Sequence, residues 1–278
     1  MTVVDDVAAP TLVKLPTFEA GAPKTKRFRF PRSVERLIGV VVFFAIWELA
    51  ARVGWLSPTI LAGPSAVLTV GWDLLRNGTL TDAIWTSLQR VLWGLAIGIP
   101  IGTGLALLAG LSRPGDDAID ANMQMLRFVP IIALQPLLIV WLGVGETTKI
   151  TLIVLGVVFP IYVNASAAVR SVSPGYHELA RVVGLSRTQR LRKVVLPGAL
   201  PGFIVGLRIA VSVAWLLLVF AEQINATSGI GFLMTRAQTF FQTDVIVVCL
   251  VTYAVLGLLT DGTVRFLERR FLSWQPER

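Results

Sequence analysis

The chain holds one cysteine, one histidine and few charges, and each scarcity excludes a class of function. Cys249 stands alone among 278 residues, so an intramolecular disulfide and a thiolate metal site are both ruled out. His177 is also alone, and beside a polar, water-facing segment it reads as a solvated side chain. A membrane enzyme would need His, Asp or Glu clustered at one depth. The sequence offers no such cluster, so it yields no catalytic residue, no metal ligand and no cofactor-binding residue, and enzyme activity is not expected. Charged residues make up only 15% of the chain and hydrophobic ones 54%, where an ordinary soluble domain carries about 25% charged residues. A Gly-x-x-x-x-Gly-Lys-Ser/Thr loop is missing too; Gly143-Val-Gly145-Glu-Thr-Thr-Lys149 has similar letters in the wrong order. P-loop binding of ATP is therefore not expected of this chain.

What the sequence does contain is a series of lipid-length apolar runs. Its length leaves room for roughly six spans of about 20 residues with their connections, and for no soluble domain beside them. The spans are expected near 34–53, 83–111, 121–142, 150–169, 199–220 and 245–266. Between the first two, 66–75 reads as an interfacial amphipathic helix. The domain reading is a flexible cytoplasmic tail over 1–33, a transmembrane domain over 34–270 and a short cytoplasmic tail over 271–278. The first thirty residues lack an apolar run, so a cleaved signal peptide is not expected.

The net charge of +8 sits at span ends and in short loops, where topology and lipid headgroups account for it. Nucleic-acid binding is not expected. One side collects Arg113, Arg170, Arg181, Arg187, Arg190, Arg192, Lys193, Arg265, Arg269 and Arg270, together with the basic end of the N-terminal tail. The other offers Arg76, Lys149 and Arg236. The excess of Lys and Arg marks the cytoplasmic side, so both termini are expected there.

Small residues recur every four positions in the second span, at Gly94, Gly98, Gly102, Ala106 and Gly110. Such a stripe lets helices approach closely, either within one subunit or between two. Pro100, Pro130, Pro136 and Pro160 interrupt the spans, and each removes a helix hydrogen bond. Broken helices at membrane depth can line a translocation path. Gln135, Tyr162, Asn164 and Arg208 are the candidate path residues. Arg208 stands out as a cation in a span, serving either a structural partner or an anionic substrate.

The segment 178–197 departs from this pattern. It is polar and basic inside an apolar chain, and each of its charges would cost about 2.5–3.5 kcal/mol in hydrocarbon. It must face water. A helix over 176–183 would end at Gly184, which can adopt the left-handed cap. Ser186 can cap a second helix running to Lys193.

This segment resembles the EAA loop of ABC-importer permeases: Glu-Ala-Ala, three residues, Gly, nine residues, then Ile-x-Leu-Pro. Glu178, Ala180 and Gly184 match, and Leu179 replaces the first alanine. Val194, Leu196 and Pro197 stand where Ile, Leu and Pro are expected. The order of the spans, Leu196-Pro-Gly-Ala-Leu-Pro201, Gly206-Leu-Arg-Ile-Ala210, Ala221-Glu222 and Ser228-Gly-Ile-Gly231 are similar to the nitrate, taurine and aliphatic sulfonate branch. So are Phe241-Gln-Thr-Asp244 and Leu267-Glu-Arg-Arg270.

The resemblance implies an all-α membrane protein with the type I ABC importer permease fold. It implies a loop over 171–197 that docks in a groove of an ATP-binding subunit through Glu178, Leu179, Ala180, Gly184, Leu185, Val194, Leu196 and Pro197. It also implies two ATPase copies that hold ATP and Mg, a second permease copy and a substrate-binding protein outside the bacterial inner membrane. The cargo implied is a small anion of the sulfonate, taurine or nitrate kind, with other small organics such as a thiamine-precursor pyrimidine as the alternative. A secondary transporter would instead show inverted repeats and intramembrane carboxylates, and the sequence reads as having neither.

Overall fold

The computed structural model describes residues 32–57, 59–224 and 226–272. Almost all of the N-terminal tail, and the tail beyond Leu272, lie outside the described residues. The chain divides into two compact units, Met1–Phe43 and Phe44–Arg278, and every helix after the first belongs wholly to the second. The helices are α1 (Arg32–Arg52), α2 (Pro64–Arg76), α3 (Thr79–Leu111), α4 (Arg113–Leu126), α5 (Gln135–Leu142), α6 (Glu146–Arg170), α7 (Pro174–Val182), α8 (Arg187–Arg190), α9 (Leu196–Gln223), α10 (Ile230–Thr239) and α11 (Thr243–Phe271). Among the described residues there is no strand.

Four stretches are long and apolar enough to cross a membrane: α3, α6, α8 running on into α9, and α11. The expected span at 121–142 is not straight. A helix from Pro114 to Leu126 and another from Ile131 to Leu142 meet at 88°. The cause is local. Pro130 lacks an N–H donor and cannot continue α4, whereas Pro136 falls in the first turn of α5, where a missing N–H costs nothing. The chain leaves α4 through an extended Pro130 (ψ 107°) and restarts in a 3₁₀ turn over Ile131–Leu134. The expected first span is α1, but Glu35, Arg36, Glu48 and Arg52 near its ends shorten its apolar stretch.

α6 is the central element, with its most extensive contacts on α3 and α9. The small-residue stripe of α3 makes one of those contacts. A Cβ on Gly94 would stand 2.3 Å from Ile153 Cγ2, and one on Gly98 would stand 2.7 Å from Val157 Cγ1. Gly102 meets Ile161 and Gly110 meets Val169 in the same way. The stripe therefore serves packing inside this subunit. Of the two uses open to it in the sequence, a face between subunits is set aside. Gly202 and Gly206 of α9 approach Ala168 and the Pro160 carbonyl from the other side of α6. In lipid this fit of small residues against β-branched ones replaces hydrophobic exclusion as the source of adhesion.

A substitution here must therefore overpack the bundle. Gly94→Val is expected to cost about 1–3 kcal/mol or more, lowering the yield of monodisperse protein and its melting temperature in detergent. Gly104→Val, where an added Cβ would meet nothing within 4 Å, should behave as wild type in the same thermal assay.

Apolar residues also cover the outside. Trp93, Ile97, Ile101 and Leu108 of α3 and Leu250, Val255 and Leu258 of α11 are exposed. A contiguous apolar exterior on long helices suits a hydrocarbon solvent. The expected interfacial helix is α2, which rests on α11 and α3. α10 has no counterpart among the sequence expectations; it lies against α9 and α11 with Ile230, Leu233, Met234 and Ala237 buried.

Candidate functional site

The water-facing segment folds as a helical hairpin between α6 and α9. α7 starts on Pro174, whose missing N–H costs nothing in a first turn. It ends before Gly184, whose φ of +74° is left-handed and favours glycine. Leu185 N–H donates to the Ala180 carbonyl at 2.9 Å and closes the turn. Ser186 then caps α8: its Oγ accepts from Gln189 N–H at 3.3 Å, and Gln189 Oε1 accepts from Ser186 N–H at 3.0 Å. This is the reciprocal capping box.

The second helix does not stop at Lys193, as the sequence suggested. It passes through a π-helical turn over Leu191–Val195 and joins α9. Pro197 explains the turn. Its ring would crowd the Lys193 carbonyl in a regular helix, and the wider turn, with Leu196 N–H on the Leu191 carbonyl, relieves this. The hairpin is thus welded to a membrane-length helix.

The loop residues separate into two roles. Ala180 and Val195 are buried, Val195 in a cluster with Ala168, Val169 and Ala199. Glu178, Leu179, Leu196 and Pro197 are exposed, and Leu185 and Val194 are half-buried. On α7, Leu179 is 58% and Val182 85% exposed, and Tyr176 and Val183 are exposed as well. An apolar face on a short polar hairpin marks a contact surface.

The four candidate path residues do not converge on one cavity. Gln135 is buried, and its Nε2 donates to the Phe220 carbonyl at 3.4 Å. Arg208 lies twelve residues earlier on α9, roughly 18 Å of helix rise away. Its Nη2 meets Glu268 Oε2 at 2.6 Å, Asp261 lies at 3.4 Å, and its side chain is 42% exposed. Arg208 is therefore ion-paired to α11. Tyr162 donates to Asp120 Oδ1 on α4 at 2.8 Å, and Asn164 donates to the Pro160 carbonyl of its own helix at 2.8 Å.

The deepest ionic site involves a residue that the sequence reading passed over. Arg90 of α3 is 2% exposed, and Glu222, in the last turn of α9, is 1% exposed. Arg90 Nη1 meets Glu222 Oε1 at 2.6 Å, and its Nε and Nη2 form a fork on Glu146 at 2.6 and 2.7 Å. Glu222 also accepts from Ser87 Oγ, Gly231 N–H and Tyr253 O–H. Lys149 Nζ donates to Glu146 at 2.9 Å. Two cations thus offset two carboxylates, and α3, α6, α9, α10 and α11 are tied at the end opposite the hairpin. Gly229 makes this possible. A Cβ there would stand 2.4 Å from Glu222 Oε1 and 2.6 Å from Arg90 Nη1, so the backbone can close on the pair. The signal was present in the sequence: Arg90 falls within the second expected span, 83–111, and an arginine in a span calls for a partner.

Known proteins carry the same architecture. The family model described as binding-protein-dependent transport system inner membrane component matches residues 98–273. SsuC of Escherichia coli, named for aliphatic sulfonates transport as a permease, is 46% identical over 239 residues, covering 86% of this chain and 90% of its own length. The taurine transport system permease protein TauC of Escherichia coli is 35% identical over 259 residues, covering 90% of this chain and 94% of its own. A chain from the crystal structure of a bacterial ABC transporter involved in import of the acidic polysaccharide alginate aligns with a TM-score of 0.60. It is 17% identical and covers 86% of this chain and 96% of that one; at that identity the likeness concerns the fold alone, that of a type I ABC importer permease. With its apolar bundle, its helical hairpin and these matches, the chain belongs to the binding-protein-dependent transport system inner membrane component family of ABC transporter permeases.

Proposed function

We propose that this permease moves a small oxyanion of the aliphatic sulfonate kind, with taurine or nitrate as the nearest variants, inward across a bacterial inner membrane. Two copies form the path, a substrate-binding protein delivers the cargo outside, and two ATPase subunits holding ATP and Mg drive the cycle from the cytoplasm. Both termini and the hairpin face the cytoplasm in this reading. The sulfonate assignment draws on the relatives named for aliphatic sulfonates and taurine. The pyrimidine alternative is not favoured by them.

The observation that carries the coupling role is the apolar face of α7 on a hairpin fused to α9. Motion of a docked partner would reach a membrane-length helix through the π-helical turn, with no flexible linker between. In this reading Arg208, paired with Glu268 at 2.6 Å, serves the packing of α9 against α11.

Gly184→Val and Glu178→Lys test this role. A β-branched residue at φ +74° is strained by about 1–3 kcal/mol, and the lysine reverses an exposed charge beside the contact face. Each is expected to lower binding-protein-stimulated ATP hydrolysis several-fold while the permease still inserts and elutes normally. Full stimulation in both variants would show that coupling runs elsewhere.

A further inference from the structure

We infer that the base of the hairpin holds the headgroup of an anionic phospholipid. A cavity of about 670 Å³ opens there, rimmed by Arg181, Arg187 and Arg190 and floored by Leu111, Val169 and Leu191. Among the described residues none of the three guanidiniums forms an ion pair, whereas Arg170 close by is paired with Asp116 and Asp120. Three unpaired guanidiniums around one cavity leave it strongly positive, and a guanidinium fork fits a phosphate.

Two further features select a lipid over a free oxyanion or a protein. The first is the approach to the cavity. Trp93, Ile97, Ile101, Leu108 and Leu111 of α3 are all exposed. At 100° per residue they fall on one face, and at 1.5 Å per residue they run about 27 Å along the helix. This apolar stripe ends at the arginines, the arrangement that an acyl chain below an anionic headgroup requires. The second is the geometry of α7. His177 and Arg181, one turn apart, line the cavity, while Leu179, Val182 and Val183 lie on the opposite side of the helix, exposed. A protein docked on the apolar face therefore leaves the cavity free. The lipid would brace the hairpin against the ends of α3 and α6, so headgroup charge would set how firmly the hairpin is held.

The test uses the full permease with its ATPase in nanodiscs of mixed phosphatidylglycerol and phosphatidylcholine, reading retained lipid by native mass spectrometry. Wild type is expected to retain phosphatidylglycerol over phosphatidylcholine by at least tenfold. Each near-surface arginine contributes roughly fivefold to such binding, so R181Q/R187Q/R190Q should abolish the preference. Equal retention of the two lipids by wild type would overturn the proposal without any variant. So would an unchanged preference in R181Q/R187Q/R190Q. Displacement of the lipid by millimolar glycerophosphate would assign the site to a free oxyanion, and loss of the ATPase with the lipid preference kept would assign it to a protein contact; either result overturns the lipid. If the triple variant fails to fold, R181Q alone, at an exposed position, must still weaken the preference several-fold.

Discussion

Glu222→Ala is expected to remove most of the folded protein from the membrane. The carboxylate is buried and accepts from Arg90, Ser87, Tyr253 and the Gly231 amide. Its removal leaves a guanidinium that is 2% exposed with Glu146 as its remaining carboxylate partner, and it orphans the other three donors. Breaking a buried pair on one side costs about 3–5 kcal/mol, a large share of the 5–15 kcal/mol that typically holds a protein together. Removing both charges leaves fewer unpaired groups, because well-packed apolar replacements avoid the stranded ion. R90M/E222L should therefore recover part of what Glu222→Ala loses. Thermal unfolding in detergent and the monodisperse fraction after extraction read both effects. A double variant no better than the single one would mean that the network acts through something other than charge pairing.

L179D/V182D is expected to detach the ATPase. Both side chains stand in solvent and touch no core, so the permease itself should extract and elute as wild type. Burying an unpaired carboxylate costs several kcal/mol, so two of them in place of these apolar contacts should weaken association by roughly a hundredfold or more. Copurification of the ATPase on a tagged permease should fall to background. Retention at the wild-type level would show that the apolar face of α7 is not the docking surface.

The hairpin was legible from sequence because its determinants are local. Gly184 and Ser186 each fix their turn through atoms a few residues away, and the first helix and the start of the second fell within a few positions of expectation, whereas the second runs on into α9 instead of ending at Lys193. What stayed hidden depends on distance along the chain. Arg90 and Glu222 are 132 positions apart, and a linear reading gives a buried arginine no partner. Arg208 looked like the deeper cation because it sits inside an apolar run, yet α11 brings Glu268 and Asp261 to it. The bend at Pro130 was visible only as a pair of prolines. Its 88° angle depends on how two short helices settle against their neighbours. α10 was missed because its ten residues are too short to show a span, and Gly229 and Gly231 disguise it as a loop.

Uptake into proteoliposomes tests ATP-coupled oxyanion import most directly. The permease is reconstituted with its ATPase, ATP is enclosed on the hairpin side, and the substrate-binding protein is added outside with radiolabelled ethanesulfonate. Accumulation is expected to require ATP and the binding protein together, to be lost in L179D/V182D, and to be inhibited by taurine or nitrate more than by a neutral solute of similar size. Accumulation without ATP, or at full rate in L179D/V182D, would contradict the coupling of this hairpin to transport.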